Sequence, residues 1–386
     1  MGQGRSAAPQ IPPGMKGVEG RYHFLIYDIP DDQAQEALIR MEAMVDEYTL
    51  RTRDFSGKLN RKLPFYLFRD RAQYTANGGL PGSVGIFNGS KLMAIAGDKL
   101  TTRTWHTIQH EGFHQFAFAV IGGNLPIWAN EGLAEYFGEA IFTGDGFVSG
   151  AIPKHRLRRV AGLMNDAKFK PVQEMLTMTN AQWNRELNHT NYDQVWAMTM
   201  FLAHGDDGKY QKAFGRYMIA LSRGAPWDRA WVDSFGNVEA FEKKWIEWWT
   251  DEKREASTDV FAQAATQMLT SYLARGMSQK QTFADLDALL AAIEKNEVQS
   301  NKGDILPESL AADCVSLTRG LIKSEVVFTL EAGATARDQP SVVCVLPDGT
   351  KITGTYKLKG SRVASVASKI DPPAKEAKKD DEKQKK

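Results

Sequence analysis

Residues 104–121 read TWHTIQHEGFHQFAFAVI. Trp105, Ile108, Phe116 and Val120 recur as apolar anchors and Gly122-Gly123 stops the run, so the stretch predicts a helix. Inside it stands His110-Glu111-Gly112-Phe113-His114, with two histidines four residues apart. On a helix such a pair shares one face, about 6 Å apart along the axis. That separation lets two imidazole nitrogens reach one divalent ion at about 2.1 Å. Glu111 projects from the neighbouring rim, where it can act on a water without being a ligand itself. The chain has 386 residues and seven histidines, so such a pentapeptide arises by chance in about one chain in a hundred of this composition.

The next segment raises its weight. Residues 125–137 read LPIWANEGLAEYF. Pro126 suits a first helical turn and Asn124 can cap it, which predicts a second helix after a short loop. Glu131, one turn in, returns a carboxylate towards the two histidines as a third ligand.

HEGFH followed by PIWANEGLAEYF resembles the gluzincin, or peptidase MA-like, superfamily of zinc peptidases. The wider pattern, from LPFYLFRDRAQY through HEGFHQF and LPIWANEGLAEYF to NYDQVWAMTMFL, looks like a bacterial branch without assigned substrates and covers roughly residues 60–220. The resemblance implies one catalytic Zn²⁺ held by His110, His114 and Glu131, with Glu111 as general base. It implies a peptide or protein substrate and endopeptidase action. It places an acidic residue one turn beyond the third ligand, here Glu135, to hydrogen-bond a ligating histidine. It also places a tyrosine downstream as oxyanion donor, here Tyr192, with His189 as the substitute. His106, one turn before His110, reads as packing or as support behind the ligands, because a catalytic zinc keeps one position open. Aminopeptidases of the superfamily carry a G-x-M-E-N motif that Gly85–Asp98 (GIFNGSKLMAIAGD) lacks, which disfavours that exopeptidase device. This hairpin instead offers an edge strand for an extended peptide.

The fold class this predicts is α+β: a small N-terminal sheet with helices, a mainly helical zincin-type catalytic region and a small C-terminal β module. Residues 1–20 read as a disordered leader and 21–100 as an N-terminal α/β subdomain. The helical catalytic part spans 101–256, a helical connector 257–302, the β-rich module 303–368 and a disordered charged tail 369–386. In the first hundred residues, Arg21–Ile29 and Leu63–Phe68 are β-prone, a helix follows Pro30, and Asn88-Gly89 signals a hairpin. Trp245, Trp248 and Trp249 read as core packing of the last catalytic helix.

Composition narrows the function classes. A net charge of +1 with no basic stripe argues against a nucleic-acid partner. No apolar run reaches the roughly 18 residues of a membrane span, so no transmembrane segment and a soluble chain are expected. Cys314 and Cys344 are the only cysteines; they make either one bridge of an exported protein or two buried thiols. These late cysteines and an atypical leader suit a secreted or cell-envelope location. The basic run Lys154–Arg159 (KHRLRR) reads as a solvated helix face. His23, His155 and His204 lack local partners and read as structural. A rival reading keeps the zinc but makes the chain a non-proteolytic or inactive scaffold. In that case the C-terminal β module does the docking, to a cell-envelope or protein partner.

Overall fold

The computed structural model describes residues 9–122, 125–186, 188–251, 256–300, 304–333 and 339–373. It divides into two units, one of residues 1–142 and 146–257, the other of 143–145 and 258–386. The predicted α+β class is what is observed.

The first unit opens with β1 (Lys16–Glu19) and β2 (His23–Tyr27), then α1 (Asp31–Thr52), β3 (Leu63–Phe68) and α2 (Arg71–Ala76), and closes its sheet with β4 (Gly85–Phe87) and β5 (Leu92–Ile95). The sheet order is β1-β2-β3-β5-β4. The central strands β2, β3 and β5 run parallel, while β1 and β4 are antiparallel edges. Buried on both faces, β3 reads as the continuous apolar run LPFYLF, as parallel strands do. The expected leader is corrected here: Lys16–Glu19 pairs with β2, and the rest of that segment up to residue 8 lies outside the described residues. The turn between β4 and β5 uses Asn88-Gly89, with Gly89 at φ +87°, a conformation that favours glycine.

Helices then follow: α3 (Thr102–Val120), α4 (Ile127–Gly138), a short hairpin β6 (Ile141–Phe142) and β7 (Phe147–Val148), α5 (Lys154–Asn165), α6 (Val172–Thr177), α7 (Asn180–Arg185), α8 (His189–Gly208), α9 (Gln211–Ser222), α10 (Trp227–Phe235) and α11 (Val238–Thr250). The helix α3 is capped by Thr101, whose side chain accepts from the Thr104 amide. Asn124, the expected cap of α4, lies outside the described residues; Pro126 holds the N-cap position. Both motif helices carry a glycine where a neighbouring element packs close. A Cβ on Gly112 would stand 2.5 Å from Met41 Cε on α1, and one on Gly132 would stand 2.3 Å from Thr199 Oγ1 on α8. The ring of Tyr48 on α1 packs edge-on against Phe113 and Phe137, which locks α3 and α4 over the sheet helix. Trp245 and Trp249 of α11 are buried, as the core reading expects.

The second unit holds α12 (Thr258–Ser278), α13 (Leu286–Glu294), α14 (Ser309–Ile322), and then β8 (Val327–Glu331), β9 (Ser341–Val345), β10 (Lys351–Lys359) and β11 (Arg362–Asp371). These strands form one antiparallel sheet in the order β11-β10-β9-β8. α12 packs on it, with Thr270 against Gly354, where a Cβ has no room. Two expectations are corrected. The β-rich module expected from 303 opens instead on a helix, the 14-residue α14, before its strands begin. Nor does the module end at 368: β11 runs to Asp371, into the expected tail, while 374–386 lie outside the described residues. Cys314 and Cys344 are both free and buried, so of the two readings the two buried thiols are observed. No helix among the described residues is long and apolar enough to cross a membrane.

Candidate metal centre

α3 and α4 are fastened to each other before any ligand is considered. The Gln109 side-chain amide donates to the carbonyls of Phe137, Gly138 and Ala140 at 2.9, 3.2 and 3.1 Å. These carbonyls lie at and just beyond the C-terminus of α4, where intrahelical donors run out. Tyr48 in turn donates its hydroxyl to the Gln109 carbonyl. The neighbours of Gln109 on the other side of the turn, His110 and His114, therefore face a fixed α4.

His110 Nε2 and His114 Nε2 lie 3.1 Å apart. Glu131 Oε2 lies 3.4 Å from His110 Nε2 and 3.6 Å from His114 Nε2. Ligands placed tetrahedrally at about 2.1 Å from one centre stand about 3.4 Å from each other. The three atoms thus already form one face of such a tetrahedron. Glu131 Oε2 is buried and makes no hydrogen bond of ordinary geometry, an orphaned acceptor aimed at the same point. Among the described residues, His110, His114 and Glu131 form a group that could hold a metal ion, and the donor set of two nitrogens and one oxygen fits it.

Electrostatics agree with that fit. Burial works against charge on both rings, but Glu131 and Glu135 outweigh it and raise His110 well above the ordinary imidazole value. His114 is raised in the same way by Glu131. Burial also works against the Glu131 carboxylate, yet the facing rings hold it at about 2. The pocket calls for positive charge at its centre.

Behind His110 stands Glu135, whose Oε1 lies 3.1 Å from His110 Nδ1. Its other oxygen is bonded by Arg156. Burial opposes the charge on Glu135, but His110 and Arg156 keep its carboxyl well below the usual range. Arg156 also donates to Glu139 at 2.9 Å and to Asp193 at 2.9 Å, and its guanidinium lies over the Trp196 ring. Arg159 binds the same Asp193 at 2.8 Å. This corrects the reading of Lys154–Arg159 as a solvated face at one position: Arg156 is 3% exposed, while Lys154, His155, Arg158 and Arg159 are exposed as expected. Sequence patterning gave no signal for Arg156, because three carboxylates on α4, its C-cap and α8 meet it only in the folded chain.

Glu111 is held by the sheet: the Phe87 amide of β4 donates to its Oε2 at 2.7 Å. Tyr192, on the first turn of α8, has its ring 6.3 Å from that of His110 and 5.0 Å edge-on from Trp183. Burial first, and then the charge of Glu131, push its hydroxyl above the ordinary phenol value. His106 packs its ring 6.3 Å from His110, with Nε2 3.8 Å from Glu135 and 3.7 Å from Glu139. It stands behind the ligand group and outside it. His189 is exposed at the start of α8, and no described contact joins it to the centre. Two of the histidines read as structural find their partners far along the chain: His23 Nδ1 lies 3.3 Å from Glu42 and His204 Nε2 3.1 Å from the Tyr136 hydroxyl.

The family described as "Protein of unknown function (DUF1570)" matches residues 104–228. The match begins at α3 and ends in α10, so it takes in the ligand group, Glu135, Arg156, Tyr192 and Asp193. No curated protein matches the chain.

Proposed function

We propose that the chain is a zinc-dependent metallopeptidase of the gluzincin type, acting as an endopeptidase. The observation that carries this reading is the convergence of His110 Nε2, His114 Nε2 and Glu131 Oε2 beside a carboxylate, Glu111, that is not part of the ligand group. When bound, a zinc ion would supply Lewis acidity, polarising a carbonyl and acidifying water.

The remaining work falls to side chains. Glu111 takes a proton from the attacking water and returns it to the leaving amine. The Phe87 amide holds that carboxylate in one orientation, so little reorganisation is needed when the proton moves. Tyr192, kept protonated by its surroundings, donates a hydrogen bond to the developing oxyanion. Glu135 fixes the tautomer of His110 by accepting at Nδ1, which leaves Nε2 free to ligate. The outward edge of β4 offers an extended peptide backbone groups beside the centre.

A peptide-library digest with the wild type and Glu111→Gln tests the reading. Cleavage by the wild type, absent from a Glu111→Gln variant that keeps its zinc, is expected. Cleavage at the same rate by both would remove Glu111 from the role. No cleavage of any peptide by a zinc-loaded wild type would remove the peptidase assignment.

A further inference from the structure

Arg156 lies outside the mechanism above, yet it is among the most enclosed charges of the first unit. Its side chain reaches Glu135 on α4, Glu139 at the C-cap of that helix, and Asp193 on α8. Three carboxylates meet two guanidiniums, those of Arg156 and of Arg159, and the Arg159 side chain is 48% exposed. A buried cluster of this kind costs desolvation and by itself is weak evidence of stabilisation.

What marks it out is the division of Glu135. One oxygen faces His110 Nδ1 at 3.1 Å and the other is bonded to Arg156. With both oxygens held, the carboxylate cannot rotate, and the plane of the His110 ring is set through it. The same guanidinium fixes Asp193, the residue after Tyr192, on α8.

We infer that Arg156 is a positioning residue of the metal centre, acting through Glu135 to aim His110 at the ion. This rests on the metal reading above. The guanidinium serves each carboxylate from a different nitrogen, Nε to Glu139, Nη1 to Asp193 and Nη2 to Glu135; a lysine ammonium donates from a single point and loses that fixed spacing.

The test compares zinc dissociation constants of the full chain by chelator competition, together with the visible spectrum of the Co²⁺-substituted protein. Two variants are used. Arg156→Lys keeps the charge, and Arg156→Gln/Glu139→Gln removes one charge of each sign. Both are expected to fold, to bind zinc about 10- to 100-fold more weakly, and to shift the Co²⁺ spectrum. In a Glu135→Gln background, Arg156→Lys is expected to add little further loss, because the path runs through residue 135. A folded variant that binds zinc within about two-fold of wild type overturns the inference while leaving the metal reading intact. So does a full further loss in the Glu135→Gln background. A wild type that takes up no zinc overturns both.

Discussion

The Phe87 backbone amide donates to the Glu111 carboxylate at 2.7 Å. In the β4–β5 ladder, Asn88 bonds to Lys91 and Ile95 to Val84, so by alternation the amides of Gly85 and Phe87 point away from β5. Phe87→Pro therefore deletes the donor to Glu111 without removing a ladder bond, a change an edge strand tolerates. A hydrogen bond to a charged group contributes about 1.5–3 kcal/mol. If Glu111 is the base, kcat of Phe87→Pro is expected to fall about 10- to 100-fold, with zinc content unchanged. Phe87→Ala, which keeps the amide, serves as the control in the same steady-state assay.

Gly132 sits in the second motif with α8 against it. A Cβ there would lie 2.3 Å from Thr199 Oγ1 and 2.7 Å from the Val195 carbonyl. Glycine to alanine inside a helix ordinarily stabilises by about 0.5–1 kcal/mol. Gly132→Ala is expected to destabilise by about 1–3 kcal/mol instead, from overpacking. Gly162→Ala, on α5 with nothing within 4 Å, is expected to show the ordinary gain. Urea unfolding of both variants checks the pair.

His204 supplies an acid sensitivity unrelated to the metal. Burial, and then the nearby Arg51, lower its imidazole from 6.5 to about 4. Its neutral ring accepts naturally from the Tyr136 hydroxyl, 3.1 Å away. Because the folded value is the lower one, the unfolded chain takes up a proton first as pH falls. The stability contribution is thus complete above 6.5 and lost as pH drops from 6.5 to about 4. His204→Gln is expected to flatten the fall in unfolding free energy across that window. Urea midpoints measured above and within it decide the matter; an unchanged slope removes His204 from the account.

Much of this was legible in the chain, and the rest was not for identifiable reasons. The helices carrying HEGFH and NEGLAEYF announce themselves, because local periodicity and a short loop determine how they meet. Glu135 follows from the resemblance to the zinc peptidases, which place a carboxylate one turn beyond the third ligand; spacing alone would leave it a solvated helix residue. Arg156 does not, since in KHRLRR a buried guanidinium and a solvated one look alike until α4 and α8 bring their carboxylates to it. The Phe87 contact to Glu111 is equally hidden, being a backbone donor that any side chain could carry. The helix α14 is different: Leu310, Cys314, Val315, Thr318 and Leu321 are its buried residues, and their helical spacing was there to be read among the β-prone runs. The strand β1 sits behind a Gly/Pro-rich leader whose composition masks four extended residues.

If two imidazoles and the Glu131 carboxylate bind one ion together, removing either kind of ligand must empty the site. Elemental analysis of purified wild type, His114→Ala and Glu131→Ala tests it most directly. About one zinc per chain is expected in the wild type, with a clear loss in both variants, each still folded by circular dichroism. Zinc absent from the wild type, or retained in full by Glu131→Ala, would contradict it.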